Sequence, residues 1–323
     1  MKVNKLCQVP EGFRDRFFES AKRKKKIESG IEKIFVRHGY SPVIPPTIEY
    51  SSVFLQGLQE EDFNKIFQFF DYQGNLLALR ADPTCALARL VCTKLNNHPL
   101  PLRLYYITNV FRKGESYAGK LNEFTQAGVE LIGKNSIEAD FEVLSLAAEV
   151  MTSSGSQNYQ ITLSHSSYLE GILSEVSLDS ESAQILRKLL KNRERVEVEK
   201  FLEKLSLPAD KKRALLELPG MIGKKEILKR ADALTTHQLS REAISYLRQL
   251  TEMFQDHNIK LIFDLGEVKK FDYYSGIIFK IYAPGSSFPI GGGGRYDQLL
   301  KRFGRDLPAV GFSLTVERLE EII

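Results

Sequence analysis

Apolar residues recur along the chain with two different periods, and the changes between them mark the elements. From near Arg14 to about Arg37 the apolar positions Ala21, Ile27, Ile31, Ile34 and Phe35 fall on one intermittent face, which predicts a long amphipathic helix. Gly39 closes it, and Tyr40 to Pro46 follows as an extended segment. Phe67–Asp71 and Asn75–Arg80 flank Tyr72-Gln73-Gly74, a hairpin pattern with glycine at the turn. Pro83-Thr84 opens a helix through Leu95; strands are expected at Arg103–Val110 and Glu123–Ile132, with a Gly-, Ser- and Lys-rich loop between them. A helix over Ile137–Ser153 precedes a strand at Tyr159–Leu163.

The character changes between Ser167 and about His257. Ala183–Leu205, Asp210–Glu217, Lys224–Ala233 and Ser240–Asp256 are charged and helical in period, broken at Pro208 and at Pro219-Gly220. Strand character returns at Lys260–Leu265 and Ser275–Ile281; a glycine-rich turn at Gly291–Gly294 and two helices complete the chain. Strands on both sides of a helical block predict one core domain (1–166 and 258–323) interrupted by a helical insertion (167–257). Because several strands connect through hairpins, the expected class is α+β with an antiparallel sheet flanked by helices.

Composition narrows the picture. With 43% hydrophobic and 27% charged residues over 323 positions, the chain can build a sizeable core. No apolar run approaches a membrane span, and the first residues hold no apolar signal core, so a cytoplasmic location is expected. Cys7, Cys85 and Cys92 are odd in number and lack metal-ligand spacing, which reads as reduced structural cysteines. The five histidines stand singly, and no metal site or cofactor is expected. A net charge of +4 demands no nucleic-acid partner, and the basic run Lys22–Lys26 reads as a solvated helix face.

A few segments carry chemistry. Arg112 follows the strand Leu104–Val110 beside the loop, where its fork could grip a carboxylate or phosphate, although a surface ion pair gives the same pattern. Gln126 and Glu130 are evenly spaced on one strand, so both point to one sheet face. Tyr273 and Tyr274 precede a strand, where packing is the commoner use of such residues, and each still offers a hydroxyl. Gly291–Gly294 permits close backbone approach but lacks the Lys-Ser/Thr of a P-loop.

Taken in order, LRADPT, YYITNVFR, EFTQAGVELIG, FDYYSG, GGGGRYDQLL and PAVGFSLTVERL resemble the class II aminoacyl-tRNA synthetase core of the histidyl type over nearly the whole chain. The resemblance implies a histidine pocket in which Asp82, Thr84 and Gln126 receive the α-amino group. Glu130 and Tyr274 would bind the imidazole, with Tyr273 beside them, and Arg112 would reach the carboxylate. It also exposes departures. Gly114 stands where a synthetase has a Glu that helps fix ATP, and Lys269 stands for an arginine that supports adenylate formation. Thr315 replaces a glycine beneath the adenine, and Arg318 alone is retained. The chain reaches Ile323 without the anticodon-binding domain of such synthetases, so no tRNA binding is expected.

The pattern LRAD-x-T, in place of LRPEGT, is similar to the regulatory subunits of short-form ATP phosphoribosyltransferase. That family implies a non-catalytic chain, with no catalytic residues of its own, in the first step of histidine biosynthesis. Its partner would be the small catalytic subunit, in a hetero-octamer built on dimers of this chain, with histidine as feedback effector. Two other readings are a truncated synthetase-like enzyme forming histidyl-adenylate and a tRNA-binding sensor. Gly114, Lys269 and Thr315 argue against the first.

Overall fold

The computed structural model describes residues 5–58, 63–114, 121–176, 178–257, 259–268 and 273–323. The first long helix, Phe18–Arg37, starts a few residues later than expected and buries Ile31, Ile34 and Phe35. Gly39, at φ 78°, supplies the left-handed residue on which the chain turns away.

Strands follow in the order β1 (Ser41–Pro42), β2 (Ile48–Tyr50), β3 (Gln68–Phe70), β4 (Leu76–Leu79), β5 (Leu102–Phe111) and β6 (Glu123–Ile132). The expected hairpin is β3–β4. Gly74 turns at φ 81°, and Asp71 Oδ1 accepts from the backbone N–H groups of Gln73 and Asn75, both at 2.8 Å. With β2 these strands form a small sheet in the order β2-β4-β3.

Among the described residues the main sheet has nine strands, completed by β7 (Gln160–His165), β8 (Ile222–Gly223), β9 (Leu261–Asp264), β10 (Ile277–Tyr282), β11 (Gly291–Arg295) and β12 (Ala309–Thr315). Their spatial order is β1-β5-β6-β12-β11-β10-β7-β9-β8. Pairing is antiparallel except at β1·β5 and β7·β9, so the sheet is mixed rather than purely antiparallel. The α+β class holds, with helices flanking the sheet.

One expectation for the C-terminal segment is corrected. Gly291–Gly294 is not a turn but most of β11, a central strand between β10 and β12. A Cβ at Gly292 would come within 2.5 Å of the Phe279 carbonyl oxygen, and one at Gly293 would run into that of Gly311. Only glycine lets the strands close there. Ala309–Thr315 is also a strand, although its alternation of Val310, Phe312 and Leu314 with small residues was readable.

Faces of β5 and β6 divide cleanly. Tyr105, Ala127, Val129 and Leu131 join a large core with helix Ile137–Ser153, whereas Leu104, Tyr106 and Ile132 join a second cluster with Leu87, Val91, Tyr273 and Tyr296. Helices of residues 167–257 feed Leu186, Leu190, Val198, Leu215 and Leu247 into the first core, and β8 from the same region pairs with β9. The stretch Ala183–Leu205 is split at Arg193 into helices Ser180–Lys191 and Arg195–Glu203. Among the described residues no helix is long and apolar enough to cross a membrane.

Candidate functional site

One cavity of about 190 Å³ opens on the face of the sheet opposite the large core, and all seven residues expected to form a site line it: Asp82, Thr84, Arg112, Gln126, Glu130, Tyr273 and Tyr274. The register explains the convergence. Gln126 and Glu130 point to the same face of β6, and β12 places Thr315 and Gly311 directly opposite them. Gly311 is required there, because a Cβ would collide with the Glu130 carboxyl group.

Glu130 is 2% exposed. Thr84 Oγ1 donates to its Oε1 at 2.8 Å, and the Tyr296 hydroxyl donates to Oε2. Burial pushes its pKa up from the ordinary 4.5 to about 8; the two hydroxyl donors act against that rise and nearby Asp82 adds to it. A pKa of about 8 leaves this carboxyl mostly protonated at neutral pH. A single proton shared between it and an imidazole suits both partners, since a free imidazole titrates near 6.5.

Asp82 caps the helix Pro83–Thr93, with Oδ1 accepting from the Thr84 N–H at 2.7 Å. Proline at the first helical position costs no hydrogen bond, so the sequence Asp-Pro-Thr fixes both the carboxylate and the hydroxyl at the cavity. Asp82 Oδ2 lies 3.6 Å from Arg112 Nη2. Arg112 Nε donates to the Ala81 carbonyl at 2.7 Å, and its guanidinium lies over the Phe124 ring at 5.8 Å. Tyr273 and Tyr274 pack against each other with centroids 5.2 Å apart, and Tyr273 meets Tyr296 edge-on at 5.7 Å. Burial raises the pKa of both Tyr273 and Tyr274, so each phenol stays a neutral donor.

One position where the sequence departs from a synthetase, Thr315, lies in the cavity lining. Thr315 is a buried part of the floor. Arg318 donates from Nη1 to the Pro289 carbonyl at 2.6 Å and lies over the Phe288 ring at 5.3 Å, so its guanidinium is already engaged. Gly114 offers a backbone N–H, donated to Asn122 Oδ1 at 2.7 Å, where a carboxylate is expected in a synthetase. Lys269 and the interior of the loop between β5 and β6 (115–120) lie outside the described residues. Among the described residues no three His, Cys, Asp or Glu side chains are grouped as a metal site.

Several lining residues escaped the sequence reading. Tyr296 was seen only as part of a glycine-rich motif, yet it anchors Glu130. Tyr106, 2% exposed, also lines the cavity. Glu267 and Lys280 form an ion pair on the cavity wall, Nζ to Oε1 at 2.6 Å. Strand alternation from Leu104 would have put Tyr106 on the cavity face, but only the sheet register says what it meets.

A family model described as histidyl-tRNA synthetase matches residues 12–319. The chain is 38% identical over 315 residues to the ATP phosphoribosyltransferase regulatory subunit of Thermoanaerobacter pseudethanolicus, covering 97% of this chain and 82% of that one. It is 36% identical over 310 residues to the protein of the same name from Acetivibrio thermocellus, with 95% and 74% covered. Among solved structures, a Bacillus halodurans protein described as an ATP phosphoribosyltransferase regulatory subunit/histidyl-tRNA synthetase superposes with a TM-score of 0.90 at 31% identity, covering 98% of this chain and 83% of that one.

Proposed function

The chain belongs to the ATP phosphoribosyltransferase regulatory subunits, a family built on the histidyl-tRNA synthetase fold, and from that premise we propose that it is a non-catalytic sensor that binds histidine in the old amino-acid pocket. Its partner is a catalytic ATP phosphoribosyltransferase subunit, which joins ATP to phosphoribosyl pyrophosphate in the first step of histidine biosynthesis. This chain supports the partner's activity and carries feedback inhibition to it, as dimers within a hetero-octamer in the cytoplasm.

The observation that carries the reading is the preserved acidic end of the cavity beside an altered nucleotide end. Glu130, held by Thr84 and Tyr296, stands beside Tyr274 and offers an imidazole one acid and one phenol. Asp82 and Gln126 offer an ammonium group acceptors. Directly opposite Gln126, Thr315 occupies floor that an adenine ring would need, and Gly114, two residues beyond Arg112, carries no carboxylate.

Regulation follows from linkage. Histidine shifts the assembly only if it binds one quaternary arrangement more tightly than the other, and a coupling of about 1–3 kcal/mol changes activity roughly 5–150-fold. Arg112, just after β5, and the strand β11 border the cavity and are where such a change would begin. Isothermal titration of the chain with histidine, repeated with Glu130→Ala, tests the site. Saturable binding lost in the variant supports it, and equal binding by both overturns the assignment.

A further inference from the structure

Lys280 and Glu267 belong to neither the acidic end of the cavity nor its arginine end. Lys280 on β10 shares a cross-strand row with Gly292, Ser313 and Gly128, and neighbours in such a row project to the same face. Side chains cover the other glycines of this floor. An added Cβ would meet the Tyr274 ring at Gly294, the Glu130 carboxyl at Gly311 and the Tyr106 hydroxyl at Gly128. Gly292 differs, because the three atoms nearest to its added Cβ are backbone atoms of Phe279 and Lys280. Gly292 lines the cavity with only backbone among its nearest contacts, and a ligand seated against it comes next to Lys280, which lines the same cavity.

That ammonium is already paired, and its partner is shared. Glu267 Oε1 accepts from Lys280 Nζ at 2.6 Å, while Oε2 lies 4.0 Å from Arg193 Nη2. The same Arg193 nitrogen donates to Asp264 Oδ2 at 2.5 Å, and Nη1 donates to the Pro219 carbonyl at 2.9 Å. Among the described residues Asp264 Oδ1 is buried without a hydrogen-bond partner, an acceptor toward which a shifted guanidinium can turn. Arg193 joins two helices of the 167–257 region with φ 58°, a conformation that a side chain other than glycine, asparagine or aspartate rarely adopts. Its two anchors, Asp264 and Pro219, hold it there. Next to Pro219 the chain packs directly on the exit of β9. Leu265 N–H donates to the Met221 carbonyl at 3.0 Å, and a Cβ at Gly266 would strike the Leu218 carbonyl.

We infer that Lys280, Glu267, Arg193 and Asp264 form the route by which occupancy of the cavity reaches the helical region 167–257. The carboxylate of a ligand seated over Gly292 competes with Glu267 for Lys280, a contact added to the one that the family resemblance gives to Arg112, and the repulsion between the two carboxylates drives Glu267 toward Arg193. Arg193 is then divided differently between Glu267 and Asp264, and the turn it holds at Pro219 is reseated. The route rests on the histidine-sensing reading and names the contacts through which that sensing leaves the pocket.

The experiment is calorimetric titration of the full chain, assembled with its catalytic subunit, with histidine. The variants are Arg193→Met, Lys280→Met, the double variant and Glu267→Gln. Arg193 does not line the cavity, so a purely local pocket predicts no effect of Arg193→Met. The route predicts binding at least about fivefold weaker, with that loss absent in the Lys280→Met background. Histidine should also slow amide exchange over residues 218–223 in the wild type and not in Lys280→Met. Wild-type affinity in folded Arg193→Met, or losses that multiply independently, overturns the route. Should Arg193→Met fail to fold, Glu267→Gln decides in its place, because it keeps size and hydrogen bonding and loses only charge; unchanged affinity there overturns the route. Absence of histidine binding by the wild-type complex overturns the sensing reading and the route together, whereas binding with unaffected variants overturns the route alone.

Discussion

Replacing Glu130 by Gln should stabilise the chain, and by an amount that grows with pH. The wild-type carboxyl has a pKa of about 8 in the fold, against an ordinary 4.5, with burial as the main cause. Below 4.5 the group is protonated in both the folded and the unfolded chain, and it contributes no pH dependence. Between 4.5 and 8 the unfolded chain releases a proton that the folded chain keeps, so stability falls as pH rises through that window and levels off above it. At roughly 1.4 kcal/mol per pH unit, the separation corresponds to at most about 5 kcal/mol. Glutamine does not titrate, and its carbonyl oxygen can still accept from Thr84 or Tyr296. Urea unfolding at pH 5, 6, 7 and 8, at one chain concentration, isolates the group, because all other titrations cancel in the difference between the two proteins. The difference should move in favour of Glu130→Gln by up to about 1.4 kcal/mol per pH unit, without a change in the denaturant slope. Parallel stability curves across pH 5–8 would refute the argument and mean that Glu130 is ionised in the fold.

Gly311→Ala should remove histidine binding and cost about 1–3 kcal/mol of stability, because the new Cβ collides with the Glu130 carboxyl and the Val129 carbonyl; calorimetry and thermal melting read the two effects. Arg295→Met should cost about 3–5 kcal/mol in denaturant unfolding. It strips the guanidinium from Asp140, which is fully buried and accepts from Arg295 Nε and Nη2, and adding Asp140→Asn should recover part of the loss. Histidine-dependent exchange of pyrophosphate into ATP should be absent from the purified chain, given Thr315 in the floor and Gly114 without a carboxylate; clear exchange would restore the enzyme reading. Tyr274→Phe in the assembled complex should weaken histidine inhibition while the uninhibited rate stays unchanged, measured as the histidine concentration that halves activity.

Much of this protein is legible in its sequence wherever one segment decides its own structure. Helix Ile137–Ser153 and strand Glu123–Ile132 fall where the 3.6 and 2.0 periods place them, and Gly74 marks its turn. The even spacing of Gln126 and Glu130 was enough to put both on one face, and the order of the motifs was enough to reach the family. Tertiary structure decided the rest. Four consecutive glycines carry no pattern, so Gly291–Gly294 becomes a strand only because β10 and β12 approach on either side. Arg193 breaks a helical stretch while its side chain is held by Asp264 and Pro219, both distant in sequence. The raised pKa of Glu130 comes from burial and Asp82 against the opposing hydroxyls of Thr84 and Tyr296, none of them a neighbour along β6. Periodicity records which face of an element is buried, because burial acts on each segment in turn; which groups then meet across that face is set by strand register between distant segments, and the chemistry of the cavity lies there.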